Sequence, residues 1–434
     1  MRGAIIFCLA AASLFPNAAL ATDQSFTPGF TGDWNGERTT LKDQGWQFQV
    51  RGDFEAAYDP SGGDAQAAAG AGEMDFAALA DLGKLIGDDG GVLEAKITDR
   101  FGANLVTAAG LNTLMQVQEI WGRGDIWRLS QLAYSQALFK KKLNIEVGRL
   151  NPGGDFDVFA CNFQNLNFCG PPAGNIDGDY WFNSPVSQWG ARAKVNVSDD
   201  LDVEGGVYQI NPENLTRGFT FDFSGGKGAL IPYDIEWKPK LLGTLPGDFQ
   251  LGGWYSDMTA ADIFYDTNHD PAAVTSLPSL MVHGRRGFYL SGRQQLTGEA
   301  PAKDAPAGTN GEGLTAFVNF TQSDRSTSLL DNQFAIGAIY KGAIPGRPKD
   351  EIGLAFGATH VNAQAALGEN LHDAAAQMPF EPVQHTEYVT ELDYRIIAMS
   401  GVEVSPNLQL ITDPGGVAQR SDVFVLGLRT ALRL

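Results

Sequence analysis

Several shortages narrow what this chain can be. Cysteine occurs three times in 434 residues, and the five histidines are scattered without the spacing of a metal site. Positive charge is scarce: 31 Lys and Arg face 51 Asp and Glu, a formal charge of -20 that argues against nucleic acid as a partner. After the first 21 residues no run of 18 apolar residues exists, which leaves no helix able to span a bilayer. There is no G-x-S-x-G elbow, no grouping of nucleophile with base, and no motif that asks for a cofactor.

What is present begins with Met1-Arg2, an apolar stretch from Ala4 to Phe15 and the small-x-small site Ala19-Leu20-Ala21. This reads as a secretory signal peptide over 1–21, cleaved before Thr22. A membrane anchor is excluded because Pro16-Asn17 interrupts the run before it reaches spanning length. Residues 1–21 carry Arg2 and no acidic residue, so their removal takes the charge from -20 to -21. Cys8 leaves with them. Cys161 and Cys169 remain, an even pair in an oxidising compartment, and a disulfide between them is expected. The alternative, two metal thiolates, needs further ligands that "FACNFQNLNFCG" does not supply. Residues 22–45 form an N-terminal periplasmic segment in which Thr39 caps a short helix ending at Gly45.

From Trp46 onward the dominant pattern is a period of two. In "VLEAKITDR" Leu93, Ala95 and Ile97 alternate with Glu94, Lys96, Thr98 and Arg100; in "GARAKVNV" Ala191, Ala193, Val195 and Val197 alternate with Arg192, Lys194 and Asn196. The last residues repeat it, with Phe424, Leu426, Leu428, Leu432 and Leu434 on one face and Arg429 and Arg433 on the other. Sixteen strands follow, at 46–58, 74–83, 91–100, 126–139, 142–149, 187–197, 200–210, 227–238, 248–257, 286–296, 313–322, 333–341, 351–361, 384–397, 400–412 and 422–434. Most even-numbered strands end in brief links such as 140–141 and 400–401, whereas 101–125, 150–186 and 258–285 are long; 297–312 breaks the alternation.

A soluble sandwich has no reason to keep one end short, nor to carry full charges along one face of so many strands. The pattern predicts an all-β fold, a transmembrane 16-stranded antiparallel outer-membrane β-barrel over 46–434 with a short N-terminal helical segment. Apolar faces meet lipid and charged faces a wet lumen. The last strand must pair with the first, because a strand in hydrocarbon has no water to satisfy a free edge. Sixteen strands leave room for an aqueous channel.

Within this frame "TGDWNGERT" at 31–39, "VQEIWGRGDIWRLSQLAYSQ" at 117–136, "FACNFQNLNFCG" at 159–170, "PVSQWGARAKV" at 185–195, "KGALIPYDIEW" at 227–237, "LPGDFQLGGWYS" at 245–256, "RPKDEIGLAFG" at 347–357 and "DPGGVAQRSDVFVLGLRT" at 413–430 together resemble the carbohydrate-selective porins of the OprB family. The resemblance covers essentially the whole mature chain. It implies a monomeric diffusion channel for glucose and similar sugars in a Gram-negative outer membrane, narrowed by inward-folded loops. Its partners would be the sugar and the surrounding lipid and lipopolysaccharide.

A neutral sugar needs donors, acceptors and aromatic plates at the narrow point. Arg100, on the lumen phase of its strand, and Glu119, in "VQEIWGRG", are the expected donor and acceptor, and the resemblance assigns both motifs to the eyelet. Arg123, Arg128 and Arg192 are further lumen candidates. Tyr180, Trp181 and Phe182 in "DGDYWFNSPV" are the aromatic candidates, with an interfacial girdle as the alternative. Ser184 stands before Pro185 where the resemblance leads one to expect tryptophan. Arg100 and Asp99 could instead form an ordinary solvated pair in the lumen.

Other chemistry is thin. "YDTNHD" spaces Asp266, Asn268 and Asp270 like the start of a calcium loop but lacks the later glycine and acid, so it reads as a surface loop. A barrel enzyme would need a nucleophile beside His360, and none is apparent. A porin for organic acids or ions is the competing function.

Overall fold

The computed structural model describes residues 29–159, 161–302, 310–379 and 382–434; the expected signal peptide and its cleavage site lie outside them. One antiparallel sheet organises the chain. Its strands are β1 (Trp46–Ser61), β2 (Ala67–Asp81), β3 (Gly91–Gly102), β4 (Trp127–Leu138), β5 (Leu143–Leu150), β6 (Gln188–Ser198), β7 (Leu201–Ile210), β8 (Gly228–Trp237), β9 (Lys240–Leu241), β10 (Leu245–Asp266), β11 (Ser279–Gln295), β12 (Gly313–Ser323), β13 (Leu330–Lys341), β14 (Glu351–Val361), β15 (Thr386–Met399), β16 (Val402–Thr412) and β17 (Val423–Arg433). β9 is a two-residue ribbon against Leu245–Pro246, so β8 pairs directly with β10 and the wall has the sixteen expected strands. Each strand pairs with its chain neighbours, and β1 pairs with β17 from Arg51↔Arg433 to Tyr58↔Leu426. The barrel is closed, so no row of backbone donors and acceptors is left to face hydrocarbon.

The two-faced pattern holds at the level of side chains. On β3, Leu93 and Phe101 are exposed on the outside while Glu94, Thr98 and Arg100 are buried inward. On β17, Leu426 and Leu428 face out, and Val425 and Arg429 face in. The inner face is not uniformly charged, however. Ala335, Ile339, Ala355, Val389, Ile411 and Val425 line it on one side, and Phe159, Phe163 and Phe168 from the segment 151–187 pack against them. Gly353 and Gly357 permit this approach: a Cβ on them would stand 2.8 Å from the Phe163 ring and 2.9 Å from that of Phe168.

Three expectations need correction. The strands at 248–257 and 286–296 are longer, β10 having 22 residues and β11 seventeen; register shifts after Ser256 and Ala261 break the alternation that would have revealed the extension. β2 starts seven residues earlier than expected, because "AAAGAGE" has no apolar alternation to read. The loop after β14 contains a helix, Ala363–Ala375, whose cap Asn362 accepts from Gln364 N at 3.0 Å. Its one buried side chain is Ala366, which gives no apolar stripe at helical spacing.

The N-terminal helix is present, at Glu37–Asp43, but Thr39 lies inside it and does not cap it. Asp33 does the work of a cap, accepting from Thr39 N and Thr39 Oγ1 at 2.9 Å each. The helix also presents Arg38, whose guanidinium donates to Leu434 O at 2.7 Å, Gly32 O at 3.2 Å and Phe48 O at 3.3 Å. Both strands of the closing seam, β1 and β17, are thereby tied to the N-terminal segment, and Phe30 N donates to Arg433 O at 2.6 Å. Arg38→Ala should therefore lower the temperature at which the folded barrel shifts mobility in a heating series on a gel. The loss corresponds to about 2 kcal/mol for buried charge-assisted hydrogen bonds, and unchanged mobility would remove Arg38 from the seam.

A candidate constriction in the barrel lumen

Loops 103–126 and 151–187 lack a regular ladder for most of their length, so their backbone N–H groups need other partners. Inward carboxylates of β15 supply them. Glu391 accepts from Gln164 N at 2.8 Å and Asn165 N at 2.9 Å. Glu387 accepts from Leu114 N at 2.6 Å and Met115 N at 3.3 Å. On the adjoining strands β14 and β13, Thr359 Oγ1 and Gln333 Nε2 donate to Asn167 Oδ1 at 2.8 Å and 3.2 Å. Arg285 of β11 pairs with Asp177 and Asp179, and Ser328 Oγ donates to Asp177 at 2.6 Å. The loops are thus bolted inside the barrel.

Between them and the wall is a cavity of about 510 Å³. Arg100 projects into it from β3, ion-paired with Glu73 of β2, and donates to Gly122 O at 3.4 Å. Glu119 lies on the loop and takes Arg429 Nη2 at 3.2 Å, while Arg429 Nε stands 3.6 Å from Glu55. The same Arg429 donates to Cys161 O and Phe163 O, each at 3.1 Å, so one wall residue joins both loops. Burial raises the Glu119 carboxyl above its usual range, against the pull of Arg429 and Arg100. Trp121, two residues on, is half-buried and lines the cavity together with Phe159. The arrangement is a narrow space walled by paired opposite charges with an aromatic face, suited to a solute of many hydroxyls and no net charge.

A search of protein families matches residues 65–434 to the carbohydrate-selective porin, OprB family. The chain belongs to the OprB family of carbohydrate-selective porins. It is 35% identical to Porin B of Pseudomonas aeruginosa over 98% of this chain and 95% of that one. Putative porin QuiX of Acinetobacter baylyi is 32% identical over 92% of both chains. The solved structure titled high pH structure of Pseudomonas putida OprB matches with a TM-score of 0.89 and 36% identity, covering 95% of this chain and 99% of that one. This protein is accordingly a β-barrel porin of a Gram-negative outer membrane, a sugar channel and not an enzyme.

The structure of this porin brings Arg100, Glu119 and Arg123 to one cavity and sends the other expected residues elsewhere. Arg123 donates to Gly178 O at 2.7 Å and Gly174 O at 3.2 Å, clamping one loop to the other. Burial, then the like charges of Arg100 and Arg128, pushes it down to about 10, still charged at neutral pH. Arg128 is buried on backbone carbonyls, among them Asn214 O and Leu215 O at 2.8 Å each. Arg192 is surrounded by Glu146 at 2.5 Å, Glu204 at 2.8 Å and Asp155 at 3.2 Å, with no face left for a solute. Asp99 is not the partner of Arg100; Glu73, on the neighbouring strand, is.

Tyr180, Trp181 and Phe182 are each 0% exposed. They are neither plates in the pore nor a lipid girdle, because they pack with Trp254, Tyr208, Tyr289 and Leu230 to seat their loop on the wall. Trp254 Nε1 donates to Tyr180 Oη at 2.8 Å. Sequence reasoning missed Trp121, although it sits in the quoted "VQEIWGRG"; its spacing of two from Glu119 was the available signal. Ser184 does line the cavity. Cys161 and Cys169 form the expected disulfide, with Cα atoms 4.1 Å apart. Asp266 is not free for calcium: its Oδ1 accepts from Asn268 N at 2.8 Å and Asp270 N at 3.0 Å, and its Oδ2 from Thr275 Oγ1 at 2.6 Å. His360 meets Asp331 at 2.5 Å, its one side-chain hydrogen-bond partner among the described residues.

Asp157 gives the loop seat a pH dependence. Its carboxyl is fully buried and has no ion-pair partner among the described residues, with Ala173 N at 2.8 Å and Thr321 Oγ1 at 3.2 Å as donors. Burial, only partly opposed by these hydrogen bonds, pushes it up to about 7. A raised carboxyl keeps a proton that the unfolded chain has lost, so its contribution makes stability fall as pH climbs from about 4 to about 7. Asp157→Asn should flatten that part of the pH profile of thermal unfolding. A variant whose melting temperature declines over this interval as steeply as the parent would show that Asp157 is not the source.

Proposed function

We propose that this porin passes neutral monosaccharides such as glucose into the periplasm, and that Arg100, Glu119 and Trp121 select them. The observation that carries the reading is the pairing of opposite charges at the narrow point, Arg100 with Glu73 and Glu119 with Arg429. A sugar hydroxyl both donates and accepts, so a molecule sliding past can exchange hydrogen bonds with a guanidinium on one side and a carboxylate on the other. A mobile ion meets both signs at close range and gains no net attraction. The indole of Trp121 offers a face to the C–H side of the ring.

This chain closes its own barrel around the constriction, which supports a monomer as the working unit, surrounded by outer-membrane lipid and lipopolysaccharide. A second reading, a pore for organic acids, is favoured by Arg123: the hydrogen bonds of its guanidinium go to the carbonyls of Gly174 and Gly178, and no ion pair to a carboxylate is found among the described residues. In a planar bilayer, glucose should reduce the ion current in a saturable way, and a carboxylate such as gluconate should do no better. Arg100→Ala should raise conductance and weaken the glucose block, and Trp121→Ala should weaken the block with little change in conductance. The affinity lost in either case should be about 1 kcal/mol, roughly a factor of five. A current indifferent to glucose in the parent protein would overturn the sugar reading.

A further inference from the structure

On the outside of the barrel, at the end that carries the long loops, β5 and β6 stop short and the segment 211–227 lies across the resulting notch. The register shows which way its neighbours point. Arg149 is opposite Leu132 on β4 and Trp189 on β6, one step along from Val147, which pairs with Tyr134 and Ala191. Val147 and Ile145 are exposed on the lipid face, so Arg149 stands in the lipid-facing row. Yet Arg149 is 2% exposed. Its guanidinium is taken up by Ser187 O at 2.5 Å, Thr220 O at 3.0 Å and Asn214 Oδ1 at 3.3 Å. Leu129 N, at the free edge of β4, donates to Gly218 O at 2.9 Å. The segment is therefore stitched to the wall and covers a cation that would otherwise face hydrocarbon.

Its own outward side is aromatic at every second residue: Phe219 is 53% exposed, Phe221 53% and Phe223 63%, while Thr220 between them is buried against the wall. Phe223 stacks on Trp189 at 4.6 Å with the rings 12° from parallel, and Trp189 Nε1 donates to Phe221 O at 3.3 Å. On the other side of the notch Trp127 is half-exposed and stacks at 5.8 Å on Phe76, itself on the lipid face of β2. The aromatic outer surface of the strands thus continues onto the segment through Trp189.

We propose that residues 219–223 are a membrane-contacting surface whose partner is the acyl-chain layer of the outer leaflet, and that the segment serves as a lipid-facing piece of wall. Continuity with the lipid-facing belt identifies the occupant: three phenylalanines extend that belt, and an edge of β4 and a buried arginine are shielded behind them. The inference does not depend on which solute passes through the lumen.

The test uses the full chain with Phe221→Cys, labelled with an environment-sensitive fluorophore and reconstituted in phosphatidylcholine vesicles. Asn268→Cys, on an exposed loop, is the aqueous control. Nitroxide attached to the acyl chains should quench the label at 221 about threefold more than at 268, and aqueous iodide should show the reverse order. Equal quenching by iodide at the two positions would place the segment in water and overturn the proposal. Protection at 221 from both quenchers, with a dimer or trimer mass in native mass spectrometry, would also overturn it, because a second copy would then be the occupant. Both positions are exposed and far from the lumen, so glucose passage stays at the parental level in either variant.

Discussion

A backbone crossing hydrocarbon must pair every N–H and C=O within the protein, and the rest of this structure depends on that requirement. Closure of β1 on β17 is its direct consequence. Closure in turn creates an inside, and a sixteen-stranded inside is too wide to fill with strand side chains alone. What fills it here is two loops, which bring their own unpaired backbone donors with them. The same accounting then repeats at smaller scale: Glu387 and Glu391 accept those donors, and Arg429 binds both loops at once.

Charge in the lumen therefore has two roles that compete for the same residue types. Some charged groups hold the loops in place and are sealed away, as Arg192 is among three carboxylates. Others remain at the edge of the cavity as pairs, as Arg100 with Glu73. A short sequence window cannot separate the two, since both present a charged residue on the inward phase of a strand. Aromatic residues divide in the same way. Tyr180, Trp181 and Phe182 seat a loop, and Trp121 is left facing the cavity.

The outer surface shows that the wall itself is not made of strands alone. Where β5 and β6 end early, a loop replaces them, satisfying the exposed edge of β4 and the stranded Arg149 with its carbonyls. The demand for a paired backbone is met by whichever segment is close enough to reach.

The barrel, its strand number, its seam and the two-faced strands were legible in the chain, because alternation at period two is a local property repeated sixteen times. The pairing of Cys161 with Cys169 was legible for a similar reason, being short in sequence and the sole even pair left for an exported chain. The extension of β10 was hidden by bulges, and the helix at Ala363–Ala375 by its lack of an apolar stripe. The partner of Arg100, the burial of Arg128, Arg192 and the aromatics at 180–182, and the placing of Trp121 at the cavity were decided only in three dimensions. Each depends on which residue of a distant strand or loop arrives opposite it, and that is set by barrel register and loop packing, which no local pattern records.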